Sequence, residues 1–194
     1  MNASFTPILE RYNYLNQFAS PGQILFFGSS YLDQFPLYEL KEDYGVSQTL
    51  FKRSLPGLHI EDAISCLSTC VYPLAPTKLF LSFGDDERSA LDFSCSAFIA
   101  SYQKLLSELR LHLPHCQIYV LSVYGESEDS PLNQALRELT HAYPCEFISL
   151  SAQKAPQNFT NGCPTPPYID DFRHIKTFLH PQRFSFSEAW NAAF

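Results

Sequence analysis

Apolar residues follow two alternating rhythms along this chain. Short runs recur at Gln23-Ile24-Leu25-Phe26-Phe27, Lys78-Leu79-Phe80-Leu81-Ser82-Phe83, Gln117-Ile118-Tyr119-Val120-Leu121-Ser122-Val123 and Cys145-Glu146-Phe147-Ile148-Ser149-Leu150. Ser47 to Lys52 is a weaker run of the same kind. Such runs predict strands, buried on both faces where they are almost wholly apolar. Between them the spacing turns helical. Ile60, Ala63, Ile64, Leu67 and Val71 follow i, i+3, i+4, i+7, i+11, and Phe98, Tyr102, Leu105, Leu106, Leu109 and Leu113 make a longer stripe. Ser130-Pro131 is an N-cap and N1 pair before Leu132, Ala135, Leu136 and Leu139. Strands that alternate with helices predict an α/β fold: a three-layer αβα sandwich, about five parallel strands, with right-handed crossovers placing helices on both faces. Helices over about residues 5–18 and 185–193 complete the outer layers. Residues 151–170, rich in Pro and Asn, predict a long irregular loop.

Composition narrows the class. The chain has 194 residues, 45% of them hydrophobic, which fits one domain with a full core. With 20 acidic against 13 basic side chains the charge is −7, which disfavours nucleic acid as a partner. Six cysteines sit mostly inside apolar runs, without a CxxC or a Cys/His ligand cluster, so they read as free thiols in a reducing compartment. No metal or cofactor is implied. No basic n-region leads an apolar run at the N-terminus, and no apolar stretch approaches the ~20 residues of a membrane span. The expectation is a soluble, cytoplasmic protein. Only 7 glycines are present, and Gly28, Gly57, Gly84 and Gly125 all follow predicted strands.

That placement matters, because open α/β sheets bind ligands beyond the carboxyl ends of their strands. The segments there are Gly28-Ser29-Ser30 leading to Gln34-Phe35-Pro36, then Leu55-Pro56-Gly57, then Gly84-Asp85-Asp86-Glu87. Nearer the C-terminus, Asp171-Phe172-Arg173-His174 sets a carboxylate three residues before an imidazole. Gly-Ser-Ser-x-x-x-Gln-Phe-Pro after the first strand resembles block I of the SGNH (GDSL-type) hydrolases, in particular a bacterial subgroup with this opening. The resemblance runs from about residue 23 to 125 and resumes near Tyr168.

The resemblance implies the flavodoxin-like SGNH fold and a serine ester hydrolase acting on a small-molecule ester, without cofactor or metal. Ser30 falls where the family has its nucleophile. Gly57 matches the block II glycine, whose amide helps form the oxyanion hole, and Asp86 matches the block III Asn that donates a further N–H. Asp171 and His174 match the Asp-x-x-His block, in which His activates Ser and Asp orients His. The Ser30 amide supplies another oxyanion donor. Two departures stand out. An ionised Asp86 has only acceptors where the family's Asn donates. Lys52-Arg53-Ser54-Leu55-Pro56-Gly57 replaces Asn-Arg-Gly-Ile-Gly-Gly, keeping only the last glycine.

Each residue also has a plainer reading. Ser30 suits a helix N-cap, Gly57 and Gly84 suit turns, Asp85, Asp86 and Glu87 suit a solvated first turn, and Asp171 with His174 suits a surface pair. His59, His112, His115 and His141 read as surface residues. His180, followed by Pro181, Phe186 and Trp190, rivals His174, but Thr177 three residues earlier cannot orient an imidazole as a carboxylate does. Two other functions fit the pattern. One is a catalytically impaired SGNH-fold protein that binds through its cleft. The other is a nucleotide or flavin binder, which Tyr31, Leu32, Asp33 and Pro36 suit badly as a phosphate cradle.

Overall fold

A strand covered on both faces sends alternate side chains into two separate cores, and the central strands do so. The computed structural model describes residues 3–150, 159–160, 163–164 and 168–180. Strands β1 (Ile24–Gly28), β2 (Leu50–Ser54), β3 (Lys78–Ser82), β4 (Gln117–Leu121) and β5 (Cys145–Ile148) form one parallel sheet in the order β2-β1-β3-β4-β5. Leu25, Phe27, Leu79, Leu81, Ile118 and Val120 face one core. Ile24, Phe26, Phe80, Tyr119 and Leu121 face the other. The register aligns Phe26 with Phe80 and Phe80 with Tyr119, and their rings stack at 4.6 and 4.7 Å across three strands.

Helices α1 (Thr6–Asn16), α4 (Ile60–Cys70), α5 (Cys95–His112) and α6 (Pro131–Ala142) cover the first core, as their apolar spacing predicts. Helices α2 (Ser30–Gln34), α3 (Leu37–Asp43) and α7 (Tyr168–Leu179) cover the second. Neither α2 nor α3 is long enough to show a periodic stripe, and Pro36 separates them. The second strand begins at Leu50 and runs on to Ser54, past the sequence-based end at Lys52. Within 151–170 the described residues are not wholly irregular: β6 (Phe159–Thr160) pairs antiparallel with β7 (Cys163–Pro164), and α7 already starts at Tyr168. The expected helix over 185–193 lies outside the described residues. Cys66, Cys70, Cys95, Cys116 and Cys145 are free thiols, and burial pushes those of Cys70 and Cys116 up to about 12. No helix among the described residues is long and apolar enough to cross a membrane.

Strand order reverses between β1 and β3, which leaves a crevice at their carboxyl ends. Two polar contacts fix the elements around it. Lys78, 7% exposed, donates from Nζ to the carbonyls of Phe178 and His180, tying the end of α7 to the start of β3. The N-terminal end of α7 therefore lies at the carboxyl edge of the sheet, its last turn at the amino edge. Asn133 is fully buried; its Oδ1 accepts from the Val123 amide at 2.9 Å and its Nδ2 donates to the Ser127 carbonyl at 2.8 Å, shaping the loop after β4. Asn133→Ala strips both partners and is expected to cost about 2–4 kcal/mol, read as a lower urea midpoint. An unchanged midpoint would show that the loop holds itself.

Candidate active site

At the reversal point the chain turns sharply out of β1. An added Cβ on Gly28 would stand 2.1 Å from the Ser82 carbonyl oxygen, so only glycine lets β1 and β3 approach this closely. The Ser29 amide then donates to that same carbonyl at 3.1 Å, and α2 begins at Ser30.

The loop after β2 delivers Gly57. The Leu58 amide donates to the Leu55 carbonyl at 3.0 Å, and Gly57 has φ +75°. Pro at the second position of a turn and a positive-φ Gly at the third make the residue pair of a type II turn. Pro56 therefore replaces the glycines of the resembled block without losing the turn. The Leu55 amide donates to the Gly28 carbonyl at 3.0 Å, anchoring the loop to β1. The outcome is a bond from the Gly57 amide to Ser30 Oγ at 2.9 Å.

The acidic run after β3 serves backbone amides from three segments. Asp85 accepts from the Ser29 hydroxyl and from the Tyr31 amide, the latter at 2.6 Å. Asp86 Oδ2 accepts from the Ser30 amide at 3.1 Å. Glu87 accepts from the Ile60 amide at 2.6 Å and the Gly84 amide at 2.8 Å. Burial pushes the Asp85 carboxyl up, against the Ser29 hydroxyl bond, and the Asp86 charge adds to the rise. Burial likewise raises Glu87, while its amide partners and the His59 charge pull it back. These three side chains are not a solvated first turn. The amide that would stabilise an oxyanion at Ser30 already holds a carboxylate.

Ser30, Gly57 and Asp86 thus meet in one place. Asp171 and His174 share α7 but point to different surroundings. Asp171 is fully buried, and Tyr31 Oη donates to its Oδ2 at 2.7 Å. Burial, with Asp171 second, holds the Tyr31 phenol well above its ordinary value, so it stays a donor. Tyr124 stacks on the Tyr31 ring at 4.7 Å, and Tyr168 lies 5.8 Å from it. His174 is exposed, its ring parallel to Phe178, in an open groove with Arg137, His141 and Phe147. That groove runs alongside β5, which lies three strands from β1, roughly 14 Å across the sheet.

All six histidines are among the described residues, and none hydrogen-bonds to Ser30 Oγ. His112, His115 and His141 precede β4 and β5, and His180 sits by Lys78, all at the amino edge. His59 begins α4 and lines a cavity of about 220 Å³ with Glu87, Asp92, Phe93 and Phe98. Among the described residues no group of three or more His, Cys, Asp or Glu is arranged to hold a metal ion. Sequence reading missed the amide contacts of Asp85 and Glu87, which no local pattern announces. The turn at Gly57 is one of its two readings, and Pro56 before that glycine supplies the type II pair.

Comparison with known proteins agrees with the fold. No family sequence model matches the chain, and no curated protein matches it in sequence. Solved structures do match. A candidate platelet activating factor from Streptococcus pneumonia is 22% identical with a TM-score of 0.74, over 90% of this chain and 92% of that one. A GDSL-like lipase from Bacteroides thetaiotaomicron is 14% identical with a TM-score of 0.64, over 88% and 96%. A psychrotrophic esterase from Pseudoalteromonas sp. is 13% identical with a TM-score of 0.64, over 80% and 97%. With its five-stranded parallel sheet and flanking helices, the chain has the SGNH fold of the GDSL-type hydrolases.

Proposed function

We propose that the chain is a carboxylic-ester hydrolase that cleaves short acyl or acetyl esters through an acyl-enzyme on Ser30. The observation that carries this reading is the Gly57 amide on Ser30 Oγ at the reversal point of the sheet. The fold supports it, since structural neighbours are lipases and esterases. In this reaction Ser30 Oγ attacks the ester carbonyl while its proton passes to an imidazole. The resemblance assigns that role to His174, oriented by Asp171, whereas here the two face different surroundings and His174 makes no hydrogen bond to Ser30. The Gly57 amide stabilises the tetrahedral oxyanion, joined by the Ser30 amide once Asp86 releases it. Collapse expels the alcohol, which takes the proton, and water then releases the acid by the same steps.

The Pseudoalteromonas esterase was solved inhibited by monoethylphosphonate. A fluorophosphonate probe applies related chemistry here. Adduct mapping is expected to find the label on Ser30, and Ser30→Ala to lose both label and hydrolysis of short p-nitrophenyl esters. No label at Ser30, with hydrolysis unchanged in Ser30→Ala, overturns the reading. His174→Ala tests the base in the same assay: labelling at the wild-type rate removes His174 from the role.

Asp86 favours a second reading, in which the cleft binds a ligand without hydrolysing it. A carboxylate bonded to the Ser30 amide opposes any developing oxyanion.

A further inference from the structure

We propose that Glu87 is a positioning residue of this site, holding the Gly57 amide in place against Ser30. The inference rests on the hydrolase reading and adds a residue to it. Gly57 sits at the tip of the short loop between β2 and α4, and two contacts pin the loop's ends. The first is the bond from the Leu55 amide to the Gly28 carbonyl at 3.0 Å. The second is the bond from the Ile60 amide, the first of α4, to Glu87 Oε1 at 2.6 Å. Between them the turn bond from Leu58 to Leu55 and the Gly57 contact with Ser30 shape the backbone, and the Asp62 amide holds the His59 carbonyl where α4 begins.

Glu87 is 7% exposed, and its second oxygen takes the Gly84 amide at 2.8 Å. One side chain therefore joins the loop that carries Gly57 to the loop that carries Asp86. Both loops meet at Ser30, so the distance between them sets how squarely the Gly57 N–H faces the oxygen. A carboxylate serves two amides because both of its oxygens accept. Glutamine keeps one acceptor and turns an NH₂ toward the other amide, which repels that N–H. The loop is then held at one end only. Displacing a reacting or stabilising group by about 1 Å lowers a rate on the order of 10²-fold.

The test compares Glu87→Gln with Arg110→Met, a substitution at the amino edge that removes a part-buried bond to the Cys116 carbonyl and touches neither site loop nor α7. Three readouts are taken: fluorophosphonate labelling of Ser30, steady-state hydrolysis of p-nitrophenyl acetate, and exchange of the Gly57 amide proton by NMR. Glu87→Gln is expected to lower labelling and kcat by about 10–100-fold with KM little changed. Its Gly57 amide is expected to exchange about tenfold faster. Arg110→Met is expected to keep wild-type values in all three. Glu87→Gln matching Arg110→Met in labelling, or leaving Gly57 exchange unchanged, overturns the proposal. If wild-type Ser30 is inert to the probe, the hydrolase reading fails, and the exchange measurement alone decides on Glu87. If Glu87→Gln does not fold, Glu87→Asp carries the test, its carboxylate withdrawn by one methylene. Wild-type labelling and exchange in that variant overturn the proposal equally.

Discussion

Asp86→Asn is expected to raise the rate of Ser30 acylation by about 10²–10³-fold, the range measured for a single oxyanion donor. The Asp86 carboxylate lies 3.1 Å from the Ser30 amide nitrogen, where the negative oxygen of a tetrahedral intermediate would seek its partner. Two unit charges about 4 Å apart repel by roughly 4 kcal/mol at an effective dielectric constant of 20. Asparagine removes that repulsion, and its NH₂ adds a donor where only acceptors stood. Asp86→Ala removes the charge without adding the donor, so its rise is smaller. The measurement is kcat/KM for p-nitrophenyl acetate with the labelling rate of Ser30. If neither rises in Asp86→Asn, the carboxylate is not what limits this site. If activity appears only in Asp86→Asn, the natural chain binds without hydrolysing, as in the second reading.

The other large effect falls on folding. Gly28→Ala would drive a methyl group to 2.1 Å from the Ser82 carbonyl oxygen and 3.0 Å from its carbon. Both are backbone atoms of β3, the central neighbour of β1, and the Ser82 carbonyl also receives the Ser29 amide. Neither strand has a side chain to rotate out of the way, so the sheet itself must part. The expected loss exceeds about 3 kcal/mol, a large share of the roughly 5–15 kcal/mol that holds a domain together. It is read as a lowered urea midpoint or as insoluble protein. A wild-type midpoint in Gly28→Ala would falsify the close approach of β1 and β3.

The elements that read clearly from sequence are those whose periodicity is long enough to carry a signal. Central strands β1, β3 and β4 are buried on both faces, and α4, α5 and α6 each repeat an apolar stripe over several turns. Helix α2 spans five residues and α3 seven, too few for a stripe. Helix α7 hid behind Pro164, Pro166 and Pro167, although Phe172, Ile175 and Leu179 are its buried positions. The site divides the same way. Ser30, Gly57 and Asp86 lie next to strand ends, so their convergence follows from the sheet, and the resemblance supplies their roles. Asp171 and His174 have helical spacing, but spacing does not say which neighbour each side chain meets. Tyr31 reaches Asp171 from 140 residues earlier, a partnership that only the packing of α7 against α2 reveals.

The three consecutive acids after β3 have a consequence for how such chains change over generations. Together they occupy the amides of Ser30, Tyr31, Ile60 and Gly84. Each is therefore answerable to folding as well as to any chemistry at Ser30. A lineage that abandoned hydrolysis would still be selected to retain them, because losing one takes the acceptor from a buried or half-buried backbone amide. Persistence of Asp85-Asp86-Glu87 in related sequences is accordingly no mark of a working enzyme. The informative drift is at the serine hydroxyl, which among the described residues meets only the Gly57 amide.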